Sequence, residues 1–179
     1  RLRPRGPGPC GSRLGPFPMS APPIPLAALR DPFVFLATGF GAGLLRPAPG
    51  TWGSALALPF AWGLSLVPLA PRLALVLAAA AAGVWICGRA AERLGVADHG
   101  GIVWDEMVGV WFALALLPVD LASALLAFAF FRLFDIAKPW PVSWADREVG
   151  GGLGVMLDDL IAGVLAGLAT FLALRLLPL

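Results

Sequence analysis

The stretch Phe131–Asp159, FRLFDIAKPWPVSWADREVGGGLGVMLDD, lies between two long apolar runs, and its reading decides the fold. It carries Arg132, Asp135, Lys138, Asp146, Arg147, Glu148, Asp158 and Asp159, eight of the chain's 24 charged residues. Elsewhere the chain avoids charge. Of its 179 residues, 59% are hydrophobic and 13% charged, and the mean hydropathy is +0.83. Soluble domains run nearer about 45–50% apolar and about 25% charged. The surplus apolar surface needs a solvent other than water, and lipid is the economical choice. In such a chain, concentrated charge marks a place of work. The alternative fold is an Ala/Leu-rich soluble bundle.

Working outward, residues 121–137 read as an apolar helix that gains Arg132 and Asp135 in its last turns, and Pro139 and Pro141 stop it. Residues 142–154 read as a loop with three consecutive glycines. Residues 155–177 are the last long apolar helix, with Asp158 and Asp159 in its first turn. Upstream, 102–117 is apolar apart from Asp105 and Glu106, and 92–101 is a polar loop holding His99. Residues 72–91 and 55–69 are apolar helices flanking a turn between Pro68 and Pro71. RPAPGTWGS, residues 46–54, reads as a structured turn in which Thr51 or Ser54 caps the following helix. Residues 33–45 are apolar but short and glycine-bearing, which fits a buried or re-entrant piece. The expected architecture is all-α: a polytopic helical membrane bundle of about five long helices plus one short or re-entrant N-terminal hydrophobic segment. Residues 1–30, rich in Pro, Gly and Arg, form a disordered leader, with Met19 a plausible start; residues 31–179 form the helical domain.

Short turns make successive helices antiparallel. Thr51, His99, Asp105, Glu106, Arg132, Asp135, Lys138, Asp158 and Asp159 then fall at one end of the bundle. Arg46, Arg93, Lys138 and Arg147 share that end, against Arg72 and Arg175 at the other. The positive-inside bias places the polar end in the cytoplasm.

Two acidic pairs, Asp105-Glu106 and Asp158-Asp159, meet there with Asp135. A carboxylate at a helix N-terminus is favoured by the macrodipole alone. Several carboxylates on one face repel each other and are costly to desolvate. A hard divalent cation relieves both, and Mg²⁺ suits an all-oxygen donor set from Asp105, Glu106, Asp158 and Asp159. Arg132, Asp135 and Lys138 are spaced along one helix face, either as an ion-pair string or with Arg132 and Lys138 binding phosphate oxygens. Thr51 is a further phosphate-binding candidate, and His99 a candidate acid for a leaving group. Carboxylates, a metal and Arg/Lys together are the means of phosphoryl transfer or hydrolysis.

Other chemistries are disfavoured. A net charge of +2 with no basic stripe gives no nucleic-acid partner. Cys10 and Cys87 support neither a disulfide framework nor a zinc site. Cys87 and Arg93 have the bare spacing of cysteine phosphatases, but GRAAE between them supplies no phosphate-cradling loop.

Four blocks carry a resemblance: GFGAGLLRPAPGTWGS (39–54), GVADHGGIVWDEMVGVW (95–111), FRLFDIAKPWPVSWADR (131–147) and GGLGVMLDDLIAG (151–163). Together they resemble the bacterial phosphatidylglycerophosphatase A family. The resemblance implies a Mg²⁺-dependent phosphatase that converts phosphatidylglycerophosphate to phosphatidylglycerol, the last step of that lipid's synthesis. It also implies an all-helical, multi-pass protein of the inner membrane. The family's motif positions fall on Asp105, Glu106, Asp135, Lys138, Asp158 and Asp159. Water or one of the carboxylates is the nucleophile, and the acyl tails stay in the bilayer. The rival functions are a small membrane transporter, disfavoured because the acids gather at one end rather than mid-membrane, and a non-catalytic scaffold. The oligomeric state is left open.

Overall fold

A computed structural model describes residues 22–96 and 99–176. Met19 and the first 21 residues lie outside that range. Among the described residues the structure is all-helical: α1 (Pro32–Ala37), α2 (Pro49–Ser65), α3 (Leu69–Leu94), α4 (Trp104–Leu114), α5 (Leu121–Ala137), α6 (Val142–Glu148) and α7 (Gly151–Leu176), with 3-10 turns at Leu26–Arg30 and Ala42–Leu44. Residues 22–30, assigned above to the leader, run along the domain, and Ile24, Ala28 and Leu29 pack on its core.

The N-terminal apolar piece is two short elements. Asp31 caps α1, its Oδ1 accepting from Phe33 N at 2.9 Å, and Pro32 takes the first helical position. The chain then turns through Gly39, Phe40 and Gly41, all at positive φ. A side chain at Gly39 would strike Val103 and Met107, so this turn is seated against α4.

Several boundaries differ from the sequence reading. Thr51 and Ser54 do not cap α2: the helix begins at Pro49, whose fixed φ suits the first turn, and Ala48 is the cap without a side-chain bond. Both residues lie inside the helix, and Ser54 donates to Gly50 O at 2.8 Å. Pro71 does not delay α3, because a first-turn N–H has no helical partner to lose. α3 ends at Gly95, which takes the left-handed conformation at φ +68°. The expected loop 142–154 contains α6, and α7 starts four residues early, through its glycines. Asp158 and Asp159 are therefore in the third turn of α7, not the first.

α7 is the hub and packs on α3, α4, α5 and α6. Against α4 it runs parallel along a seam of small residues. A Cβ at Gly163 would collide with the Gly109 carbonyl, and one at Gly167 would come within 2.9 Å of the Ala113 carbonyl. On α4 this row is Asp105, Gly109, Ala113; on α7 it is Asp159, Gly163, Gly167. Each is an i, i+4 row, so helices touching at the lower rungs bring Asp105 and Asp159 together at the top. Against α3, α7 is antiparallel, with Gly83 facing Met156 and Gly152 lying on the Val84 carbonyl and Gly88. Trp111 Nε1 donates to Ala57 O at 3.0 Å and ties α4 to α2; Trp104 Nε1 donates to Ala79 O at 3.2 Å and ties it to α3. At the opposite end, Asp120 and Ser123 form a capping box that starts α5.

Among the described residues two helices, α3 and α7, are long and apolar enough to cross a membrane. Large apolar side chains such as Trp62, Leu77, Trp85 and Leu168 stand exposed along the bundle.

Candidate active site

A cavity of about 290 Å³ opens at the end of the bundle where α4 and α7 begin and α5 ends. Asp105, Glu106, Asp135, Asp146, Asp158 and Asp159 line it, with Lys138 and the backbone of Gly100, Gly150, Gly151 and Gly154. Both acidic pairs and Asp135 thus reach one space.

Asp105, Glu106 and Asp159 form the inner cluster. One carboxylate oxygen from each lies within 4.8 Å of the others. Asp105, Asp158 and Asp159 are 7%, 8% and 4% exposed, so water does little to separate these charges. Oε2 of Glu106 and the Oδ1 atoms of Asp158 and Asp159 have no hydrogen-bond partner. Buried carboxylate oxygens left this way are costly, and a cation in the cavity is their natural complement. The donors are all hard oxygens, which fits a magnesium-like ion and not a thiophilic one.

Both basic residues are ion-paired, and Arg132 Nε keeps no hydrogen-bond partner. Arg132 Nη1 lies 2.6 Å from Asp135 Oδ2 and 3.9 Å from Glu106 Oε1. Lys138 departs from the expected string on α5: it closes the helix in the left-handed conformation at φ +43° and turns away from Asp135. Its Nζ binds Asp146 and, at 2.9 Å, Asp158 Oδ2. One ammonium thereby ties together α5, α6 and α7. Burial pushes the Lys138 pKa down, but the bonds to Asp146 and Asp158 outweigh it and leave the pKa above its ordinary value. Asp158, expected as a metal ligand beside Asp159, gives one oxygen to Lys138 and keeps the other free.

Three candidates fall outside the cavity lining: Arg132, His99 and Thr51. His99 is held by the backbone: Nδ1 accepts from Gly101 N at 3.0 Å, so Nε2 carries the proton and donates to Pro22 O at 2.8 Å. It lines a neighbouring cavity of about 620 Å³ with Arg46 and Pro47, where it anchors the 99–101 loop rather than facing the carboxylates. Thr51 sits half-buried in the first turn of α2 and does not line the cavity. Its neighbour Gly50 does the local work, since a Cβ there would collide with Glu106 Oε1 and meet Arg132 Nη1. The cysteine-phosphatase spacing carries nothing: Cys87 is buried within the continuous helix α3, and Arg93 pairs with Asp31 at 3.4 Å.

Sequence reasoning missed Asp146, Gly50 and the Gly109–Gly163 seam. Asp146 fell in a segment read as loop, so nothing directed it back to Lys138. The seam did leave a signal, an aspartate followed at i+4 and i+8 by small residues in both helices.

No solved structure matches the chain. A family profile described as Phosphatidylglycerophosphatase A matches residues 35–174. The Escherichia coli (strain K12) protein named phosphatidylglycerophosphatase A is 42% identical over 146 residues, which cover 80% of this chain and 85% of the relative. The Haemophilus influenzae protein of the same name is 41% identical over 152 residues, covering 83% and 93%. A Bacteroides thetaiotaomicron protein, provisionally named a phosphatidylinositol-3-phosphatase, is 40% identical over 141 residues, covering 73% and 86%. The matched span takes in α2 to α6 and nearly all of α7, and with them every carboxylate of the cavity. On that profile match and the extent of those identities, the chain belongs to the phosphatidylglycerophosphatase A family.

Proposed function

We propose that this protein is a magnesium-dependent phosphatase of the bacterial inner membrane. It hydrolyses the terminal phosphomonoester of phosphatidylglycerophosphate, releasing phosphatidylglycerol and phosphate in the last step of that lipid's synthesis. The observation that carries the reading is the convergence of Asp105, Glu106 and Asp159, from two helices, around one space with unpartnered carboxylate oxygens. The names of two relatives above 40% identity supply the substrate.

Asp105, Glu106 and Asp159 would hold the magnesium, with Asp158 beside them. Bound there, the ion supplies positive charge that stabilises the phosphate oxygens and the departing alkoxide. Arg132, paired with Asp135 and 3.9 Å from Glu106, places positive charge beside both carboxylates. Lys138 holds Asp158 and Asp146 in place. The attacking group is water or a cavity carboxylate. In the water route, Asp135 takes the water's proton as the new P–O bond forms and returns it to the glycerol oxygen as the ester P–O bond breaks, so that the oxygen leaves as the alcohol.

Several features support a bilayer setting. Only 22% of the most apolar window of α3 is buried within the protein, whereas a core helix of a soluble protein would be mostly covered. Trp140 and Trp144 stand exposed beside the cavity end, where amphipathic rings favour the membrane interface. The excess of Arg and Lys at that end favours a multi-pass arrangement with the cavity facing the cytoplasm. The acyl tails then stay in lipid while the headgroup enters the cavity.

The test is phosphate release by purified protein in neutral detergent, with magnesium or with a chelator. The panel is phosphatidylglycerophosphate, phosphatidic acid, phosphatidylinositol 3-phosphate and soluble glycerol 3-phosphate. Preferred, magnesium-dependent release from phosphatidylglycerophosphate is expected. Release from no lipid, or release that survives chelation, would overturn the proposal. Preference for the inositol lipid would reassign the headgroup.

A further inference from the structure

We infer that the substrate's phosphate is received by the backbone at the start of α7, Gly150–Leu153, and not by the side chains of Lys138 and Arg132. This rests on the phosphatase reading and names where the phosphate sits within the same cavity.

The argument begins with charge. Six carboxylates line the cavity, and an incoming phosphate adds negative charge to them. Of the two cations nearby, Lys138 is bound to Asp146 and Asp158, and Arg132, paired with Asp135, does not line the cavity. Releasing Lys138 would leave the buried Asp158 carboxylate without its partner, which costs more than the exchanged contact returns.

The start of α7 is not committed. Its first helical bond runs from Gly154 N to Gly150 O at 3.3 Å. The N–H groups of Gly151, Gly152 and Leu153 precede that bond and have no place in the helical ladder. α7 is 26 residues long, so its N-terminus carries the full positive end of a helix dipole. Gly150, Gly151 and Gly154 line the cavity itself. A Cβ at Gly150 or Gly151 would meet nothing within 4 Å, so open space lies over this backbone. Gly151, at φ +69°, sets the turn that aims the first amides.

A second observation points independently to a ligand in the same space. Asp158 and Asp159 are more than nine-tenths buried, line the cavity from two turns further along α7, and each keeps an Oδ1 without a partner. Those oxygens call for a cation deep in the cavity, and phosphate is the anion a cation there recruits. One helix thus offers amide donors at its start and carboxylates two turns on. This gives a physical reason for the run of glycines ahead of the Asp-Asp pair.

The test uses the full chain in detergent with magnesium present and inorganic phosphate as the probe, read by calorimetric titration and as inhibition of lipid turnover. Leu153→Pro removes one amide donor where proline is tolerated, in the first turn of a helix. Leu153→Ala removes the same side chain, which is largely exposed, and keeps the N–H. L153P is expected to bind phosphate about tenfold more weakly than L153A, the size of one charge-assisted hydrogen bond. Gly150→Ala, which the backbone accommodates, is expected to weaken binding several-fold by placing a methyl over the amides. The magnesium concentration giving half-maximal activity should stay the same in all three.

Equal phosphate affinity in L153P and L153A, or wild-type affinity in G150A, would overturn the inference. So would a wild-type protein that does not bind inorganic phosphate at all. Should L153P fail to fold, G150A decides. Phosphate binding that follows this pattern in a protein releasing no phosphate from any lipid would sink the phosphatase reading and leave the α7 site standing.

Discussion

The two acidic pairs look alike in sequence and differ in structure. Asp105 and Glu106 occupy the first turn of α4, where Asp105 Oδ1 accepts from Glu106 N at 3.0 Å and the helix dipole welcomes negative charge. Asp158 and Asp159 lie two turns inside α7, beyond the reach of that effect. The first pair has a local reason to exist and the second has none. A buried pair without local support is maintained by something tertiary, here the shared space with Asp105 and Glu106. The α7 pair is therefore the stronger evidence for function, although the α4 pair lies nearer the middle of the donor cluster.

Breaking this comparison starts with the carboxylates. Asp159→Asn should lower lipid phosphatase activity by about a thousandfold, with helical content preserved. Asp105→Asn should do the same. If the α4 pair were only a dipole partner, D105N would instead cost stability of about 0.3–1 kcal/mol and spare activity, as thermal denaturation beside a turnover assay would reveal. Magnesium should raise the melting temperature of the wild type, because an ion that binds only the folded state stabilises it. That gain should vanish in D159N.

The seam comes next. Gly163→Val drives a side chain into the Gly109 carbonyl. Overpacking of this kind costs about 1–3 kcal/mol. Moving Asp159 relative to Asp105 should lower activity by roughly ten- to a hundredfold. Full activity in a destabilised G163V would separate the seam from the site.

Lys138→Met sharpens the comparison through pH. The folded-state pKa of Lys138 lies above its ordinary 10.5. Its contribution to stability is therefore fully present below that value and is lost as pH rises through the raised one. The stability difference between wild type and K138M should stay level from neutral to moderately alkaline pH and shrink only in strong base. The smallest effect is expected at the far end, where Asp120→Ala removes the α5 cap at a cost of about 1 kcal/mol and leaves turnover unchanged.

Much of the helical organisation was legible because apolar runs and Pro/Gly punctuation are local signals. Placing both acidic pairs at one end needed only the count of turns between helices. The errors arose where local and tertiary effects compete. Local signals make Pro49 and Pro71 parts of turns, yet Pro49 opens α2 and Pro71 sits in the first turn of α3. The glycines at 150–152 were read as loop, although packing of Gly152 on α3 draws two of them into α7. The placement of Lys138 was not legible: a left-handed residue at the end of α5 redirects its side chain to α6 and α7, and periodicity carries no trace of that. His99 is a candidate acid by its place in a glycine-flanked loop before Asp105, while the partner that holds its Nε2, Pro22 O, lies 77 residues away.

The parallel contact of α4 and α7 bears on how freely this protein can drift. Side chains on the outer flank can be exchanged for others of similar greasiness, because nothing there must match a neighbour's shape. Gly109 and Gly163 have no such latitude. They keep two backbones close enough that Asp105 and Asp159 one rung above stay level with each other, so a bulkier residue at either position is felt at the carboxylates without touching them.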